Sequence, residues 1–142
     1  MLKQRLIGFA LTTAVGAFHF SAFGLVEARA AEMATSLQTS SQGGVTINVA
    51  PQGFSKESKT WDFVITLETH TQSLDDDLSK SSSLLADGKP YSPLGWEGAP
   101  PGGHHRKGLL RFKAVSPPPQ SVVLQIHRTG EASPRNFSWQ LK

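Results

Sequence analysis

The fold class is decided by the stretch Trp61-Asp-Phe-Val-Ile-Thr-Leu-Glu68. The residues expected to face the core occupy every second position: Trp61, Phe63, Ile65 and Leu67. Side chains in a β-strand point alternately to opposite faces of a sheet, so this spacing is typical of a half-buried strand. The stretch therefore predicts a strand with one face packed on an apolar core.

Shorter apolar runs on both sides of this stretch also predict strands. They lie at 45–49, 84–85, near Tyr91, and at 109–112, 122–127 and 137–141. Turn residues separate them, including Asp87-Gly88 and the prolines at 117–119. Only the stretch 75–85 could supply one short helical turn. We therefore predict an all-β fold, an immunoglobulin-like β-sandwich of six or seven short strands, without the cysteine pair of true immunoglobulin domains.

The first thirty residues predict export. A basic head at 1–5 precedes an uncharged, mostly apolar run at 6–26, and Ala28-Arg29-Ala30 fits the small-x-small cleavage site of a signal peptidase. We predict a signal peptide over 1–30, cleaved near Ala30, and hence a periplasmic or secreted bacterial protein. The alternative is an uncleaved N-terminal membrane anchor, because the run is about long enough to span a bilayer.

The rest of the chain divides into two predicted parts. Residues 31–44 are poor in apolar side chains and rich in Ser, Thr and Gln, which predicts a flexible leader. Residues 45–142 carry all the strand patterns and predict one β-sandwich domain.

Composition excludes several classes of protein. The formal net charge is +3, and it falls to about +1 once residues 1–30, with three basic residues and one acidic residue, are removed. So small an excess gives no reason to expect nucleic acid as a partner, and membrane contact is expected only through an uncleaved signal. The chain has no cysteine, so disulfides, thiolate metal sites and cysteine nucleophiles are excluded.

Two loops carry the residues that could bind a metal ion. The stretch 100–106, Pro-Pro-Gly-Gly-His-His-Arg, places His104 beside His105, and the loop after Trp61–Glu68 holds His70 and the aspartates at 75–77. Imidazole suits copper and zinc, and a carboxylate completes many such shells. One hypothesis is therefore a copper or zinc site formed by His70, His104, His105 and Asp75, provided that the two loops meet.

The same loops have two other interpretations. Arg106 could pair with a carboxylate or hold backbone carbonyls while the histidines fix the loop. Trp96, Glu97 and Arg106 could instead form a partner-binding loop. The aspartates at 75–77 predict a solvated or helix-capping segment, because they lack the D-x-D-x-D-G spacing and terminal glutamate of a calcium loop.

Catalysis is not expected. The sequence has no G-x-S-x-G elbow, no glycine-rich phosphate loop and no dinucleotide fingerprint. We therefore predict a protein that is not an enzyme and has no organic cofactor.

Four short segments carry a resemblance. These are W-D-F at 61–63, T-H-T at 69–71, W-E-G at 96–98 and G-G-H-H-R at 102–106. With them, the chain resembles an uncharacterised family of exported bacterial β-sandwich domains, which implies an envelope-side β domain. It is also similar, in fold class and exposed histidines alone, to small periplasmic copper carriers, but Met33 is the single methionine after residue 30.

Two functions follow as expectations. The first is a non-enzymatic accessory or interaction domain of the bacterial cell envelope, which engages an unknown envelope protein or ligand through an edge strand or the Trp96–Arg106 loop. The second is a periplasmic copper- or zinc-binding module that uses His70, His104 and His105.

Overall fold

The stretch that decides the fold class lies in strand β3, Thr60–Thr69, where every second residue is buried. The computed structural model describes Arg29 and residues 34–142. The predicted signal peptide, 1–30, with its cleavage near Ala30, lies outside the described residues apart from Arg29. No helix within the described part has the length and apolar character needed to cross a membrane.

Nine strands and one short helix follow each other along the described chain. They are β1 Gln38–Gln42, β2 Val45–Pro51, β3 Thr60–Thr69, α1 Leu78–Ser81, β4 Ser82–Ala86, β5 Lys89–Tyr91, β6 Gly95–Gly98, β7 His105–Lys113, β8 Ser121–Ile126 and β9 Arg135–Gln140. One sheet has the order β1-β2-β3-β7-β6 and the other β5-β4-β8-β9. All strand pairs are antiparallel. The predicted all-β sandwich is confirmed.

The core lies between the two sheets. Its buried members are Val45, Ile47, Val49, Trp61, Phe63, Ile65, Leu67, Leu74, Leu78, Leu84, Ala86, Leu110, Phe112, Val122, Leu124, Ile126, Phe137 and Trp139. Phe63 of one sheet packs on Trp139 of the other, with ring centroids 5.6 Å apart. Burial of these side chains is the main stabilising contribution in a chain without disulfides.

The predicted flexible leader, 31–44, is wrong over Gln38–Gln42, which form β1. This strand has no apolar residue, so no alternation reveals it. It is held by backbone hydrogen bonds to β2 and by polar cross-strand pairs. In one of these pairs the Thr39 hydroxyl donates to the Asn48 side-chain oxygen at 2.7 Å. Gly43 and Gly44, both with positive φ, form the two-residue turn between β1 and β2.

The β4–β5 turn and the start of α1 agree with the local sequence patterns. Asp87-Gly88, with φ of 47° and 83°, forms the predicted turn between β4 and β5. Asp77 caps α1 by accepting a hydrogen bond from the Ser79 N–H at 3.0 Å, as a capping segment requires. The prediction of six or seven strands is too low because it omits β1 and β6.

One side of the sandwich is closed by side-chain hydrogen bonds between β1 and β9, among them those of Gln38. The Gln38 amide donates to the Ser138 carbonyl and accepts from the Ser138 N–H at 2.9 Å, so it joins β1 to β9 across the two sheets. On the opposite side, where β5 and β6 are the edge strands, the chain crosses between the sheets at 92–94, and no side-chain hydrogen bond joins β5 to β6 among the described residues.

The two ends of the sandwich are made from different loops. We call one the arginine end: the β1–β2 turn, loop 70–77, α1, loop 99–104 and loop 127–134. We call the other the lysine end: residues 34–37, loop 52–59, loop 114–120 and residues 141–142. The antiparallel registers bring the members of each set to the same end. The β4–β5 turn also lies at the lysine end, where the Asp87 carboxylate accepts hydrogen bonds from the N–H groups of Gln120 and Ser121.

Candidate functional site

The two loops of the metal hypothesis do meet at the arginine end. The Gly102 N–H donates to the Leu74 carbonyl at 2.9 Å, and the Thr69 N–H donates to the His104 carbonyl at 2.9 Å. The structure therefore satisfies the first condition of that hypothesis, which is contact between loops 70–77 and 99–104.

The side chains of these loops do not gather into a metal shell. His70, His104 and His105 are exposed, and His105 Nδ1 lies 3.5 Å from the Glu68 carboxylate on the neighbouring strand. The Asp75 carboxylate accepts a hydrogen bond from the Ser73 hydroxyl. Within residues 34–142, no group of three His, Cys, Asp or Glu side chains could hold a metal ion.

Arg106, the second residue of β7, is buried beneath the two loops, with 1% of the residue exposed. Its Nη1 donates to the carbonyls of Leu74 and Asp76, at 2.9 and 2.7 Å, and its Nη2 lies 3.4 Å from the carbonyl of Ala99. Burial lowers the pKa of Arg106, although the carboxylates at 75–77 partly oppose this effect. Because the guanidinium is hydrogen-bonded to these carbonyls, it holds the two loops together and is not available to a partner.

The Trp96 side chain packs on the inner side of β6. Its ring centroid lies 5.6 Å from Arg106 Cζ, and its indole N–H donates to the Ala99 carbonyl at 2.9 Å. A Cβ on Gly108 would lie 2.6 Å from the Trp96 ring, so glycine is required there for the indole to lie flat on β7. The Trp96 ring is therefore half-buried and packs against β7. Only the backbone of Trp96 borders the sheet edge.

Glu97 is the exposed member of the predicted partner-binding set. Its carboxylate lies 3.5 Å from Arg111 on β7, and Arg111 makes two hydrogen bonds, of 2.8 and 3.0 Å, to Asp62 on β3. Hydrogen bonding and charge from Asp62 raise the pKa of Arg111, with a further contribution from Glu97. These three residues form a charged row across the outer face, ending at the edge strand β6.

Two further buried arginines were missed by the sequence interpretation. Arg135 donates to the carbonyls of Ser40, Gln42 and Val45, at 2.8 to 3.0 Å, and to the Glu131 carboxylate. These hydrogen bonds are the largest cause that lowers the pKa of Glu131. Arg135 therefore fixes the β1–β2 turn to the second sheet.

Arg128 completes the polar network of the arginine end. It donates to the Ser73 carbonyl at 2.9 Å, and its guanidinium nitrogens lie 3.3 Å from Asp76 and 3.4 Å from Glu131. Asp76 also accepts hydrogen bonds from the N–H and hydroxyl of Thr129. A polar hollow of about 510 Å³ lies beside this network, but the buried charges on its wall are already paired with each other.

A signal in the sequence could have found all three arginines. Each continues the alternating, inward-facing set of a strand: Arg106 with Gly108, Leu110 and Phe112, Arg128 just beyond β8 with Leu124 and Ile126, and Arg135 with Phe137 and Trp139. An arginine in a core position at a strand end has no solvent to satisfy its donors, so it must find carbonyls or carboxylates.

Among the edge strands of the sandwich, β6 is the accessible one. β1 is bridged to β9 by Gln38, and β5 is three residues long and contains Pro90. β6 is hydrogen-bonded as a strand only to β7, and it contains neither proline nor lysine, the usual protections of an edge, although α1 lies close to it. The Ala99 N–H donates to the Lys107 carbonyl at 3.1 Å, so alternation directs the backbone groups of Trp96 and Gly98 to the free side.

The fold defines the class of this protein as a two-sheet, antiparallel, all-β sandwich. Comparisons with protein-family models, with curated proteins and with solved structures found no match to the chain. Because a fold of this kind carries many functions, function has to be inferred from the surfaces described above.

Proposed function

We propose that this protein is an exported, non-enzymatic interaction domain of the bacterial cell envelope, and that it binds an extended segment of a protein partner along β6. The observation that carries the proposal is the free edge of β6, on a sandwich whose opposite side is closed by Gln38. An extended peptide can add to such an edge as a further strand, with its backbone bonded to unpaired N–H and C=O groups.

The surroundings of β6 support this mode of binding. Leu94, next to the strand, is 61% exposed and offers an apolar contact, while Glu97 offers a charge. Arg106 and Trp96 hold the strand from behind, so the edge is presented by a fixed framework. A preorganised edge loses little conformational entropy on binding, which favours recognition.

Peptide selection would test the proposal. A library of displayed peptides is selected on residues 31–142, and the bound peptides are located on the domain by backbone amide chemical shifts. We expect selected peptides to perturb residues 94–99. Gly95→Lys should abolish binding without unfolding the domain, because a Cβ at Gly95 meets no atom within 4 Å and the new charge would stand at the edge.

The chain offers a matched control for this experiment. Leu37 is 62% exposed, almost the same as Leu94, but it lies beside the closed edge formed by β1. Leu94→Lys should weaken the selected peptides, and Leu37→Lys should leave them unchanged. Peptides that perturb other surfaces, or a selection that yields none, would overturn the assignment of β6 as the binding edge.

A further inference from the structure

The lysine end carries two adjoining hollows of about 480 and 300 Å³. Both are lined by Ser55, Lys56 and Pro118, so they form one continuous surface. Phe54 and Leu141 line the larger hollow, and Val115 lines the smaller one. The surface therefore has an apolar floor, of a kind that the polar hollow of the arginine end does not have.

The rim of this surface is positively charged. Its ammonium groups belong to Lys56, Lys59, Lys113 and Lys142, all of which are exposed. None of the described residues that line the two hollows is acidic. The nearby Glu57 accepts a hydrogen bond from Ser55, and Lys142 donates to the Pro118 carbonyl at 3.1 Å. Four lysines thus surround the apolar floor, and Glu57 is an acidic neighbour that lies between Lys56 and Lys59 in the sequence.

The chain enters the domain at this same surface. Ala34 and Thr35 line the larger hollow. The uncharged, mostly apolar run at 6–26 ends eight residues before Ala34, and eight extended residues reach at most about 28 Å. While that run lies in a bilayer, the lysine end is therefore the part of the domain that the chain keeps within reach of the membrane.

We propose that the lysine end is a docking surface for an anionic phospholipid bilayer. The lysine ammonium groups would contact lipid phosphates, and the apolar floor would lie at the boundary of the headgroups. The total charge of the chain gave no indication of this, because acidic residues, most of them outside the lysine end, offset these four lysines. The proposal does not depend on β6, which runs along the side of the sandwich and would stay accessible.

Sedimentation with vesicles tests the proposal. Residues 31–142 are used, since every buried core residue lies between Val45 and Trp139. The probes are vesicles of equal parts phosphatidylglycerol and phosphatidylcholine, beside vesicles of phosphatidylcholine alone. We expect binding to the anionic vesicles that falls with added salt, and little binding to the zwitterionic ones.

A pair of double variants provides the decisive comparison. Lys59→Glu/Lys113→Glu should lower the partition coefficient on anionic vesicles by about 25-fold or more, because each lysine near such a surface contributes about fivefold. Lys80→Glu/Lys107→Glu makes the same change in net charge away from the lysine end, and it should lower binding far less. Near-ultraviolet circular dichroism checks that both variants are folded.

Three outcomes would overturn the proposal: no binding to anionic vesicles, equal binding to zwitterionic vesicles, or equal losses in the two double variants. Competition with glycerol phosphate separates a bilayer from a free phosphate group, and displacement at low millimolar concentration would also contradict bilayer docking. Gly95→Lys should bind vesicles normally, so failure of this proposal and failure of the β6 proposal can be told apart.

Discussion

The two ends of the sandwich use positive charge in opposite ways. At the arginine end, Arg106, Arg128 and Arg135 are at most 9% exposed, and each guanidinium is bonded to backbone carbonyls, with carboxylates added for the last two. At the lysine end, the ammonium groups stand in solvent around an apolar floor. The chemistry of the side chains explains the division, since a planar guanidinium can bond several fixed acceptors while an ammonium is a strongly hydrated point charge. Charge at one end maintains the fold, and charge at the other remains available for contact.

The largest effect that this comparison predicts is at Arg135. Arg135→Ala removes donors to three carbonyls at and beside the β1–β2 turn, of which that of Val45 is buried, and it also removes a partner of Glu131. We expect the free energy of unfolding to fall by about 3–5 kcal/mol. Urea denaturation checks this value. A loss below about 1 kcal/mol would show that the turn is held mainly by its backbone ladder.

Arg106→Ala should have the next largest effect. It leaves the Asp76 carbonyl without its Arg106 donor and the Leu74 carbonyl with the Gly102 N–H alone, so we expect a loss of about 1–3 kcal/mol in the same denaturation experiment. Arg106→Lys should recover only part of it, because one ammonium cannot reach carbonyls on both loops. Full recovery by lysine would mean that charge, rather than the forked geometry, holds the loops together.

Acid should weaken the polar network of the arginine end. The pKa of Glu131 is lowered in the folded protein, so its contribution to stability is present above the unfolded value of about 4.5 and is lost as the pH falls through the folded value. We expect the free energy of unfolding to decline more steeply below about pH 4.5 in the wild type than in Glu131→Gln. Parallel curves for the two proteins would contradict a role for this carboxylate.

Substitution at the lysine end should leave stability almost unchanged. Lys59→Ala removes an exposed side chain with no hydrogen bond or ion pair among those found in the described residues, and we expect a change within about 0.5 kcal/mol. The same denaturation experiment serves for this variant. A loss comparable to that of Arg106→Ala would show that the lysines also maintain the fold, and it would erase the contrast between the two ends.

Metal ions should have the smallest effect. Because the exposed histidines and Asp75 do not form a shell, copper(II) or zinc(II) added to the chelated protein should leave its thermal midpoint unchanged. A saturable rise at near-stoichiometric metal, lost in the His70→Ala/His104→Ala/His105→Ala variant, would favour the metal-binding hypothesis over the interaction domain.

The parts of the fold that could be predicted are those with an apolar period. β3 was found because its buried residues alternate over ten positions, and the Asp87-Gly88 turn was found because that dipeptide adopts positive φ. β1 was missed because an edge strand made only of polar residues has no such period, although Gly43-Gly44 was available as a turn signal.

The candidate site was predicted in its location but only partly in its roles. Sequence reasoning identified the loops at 70–77 and 99–106, and one of its interpretations gave Arg106 the carbonyls that it holds. It could not place Arg128 and Arg135 beside them, because their common end follows from the registers of β8 and β9. It also could not find the lysine end, whose members come from four separate segments of the sequence.

The bridge made by Gln38 has a mechanical consequence. The upstream chain enters at Ala34 and runs directly into β1. Gln38 bonds β1 to β9, and just before β1 the Ser36 carbonyl accepts a hydrogen bond from the Trp139 indole N–H at 2.8 Å. A pull on the upstream chain, with the domain held elsewhere, would act along the axis of β1. The bonds of the β1–β2 ladder would then share the load in shear rather than open one after another, so we expect the domain to resist tension at this point of attachment.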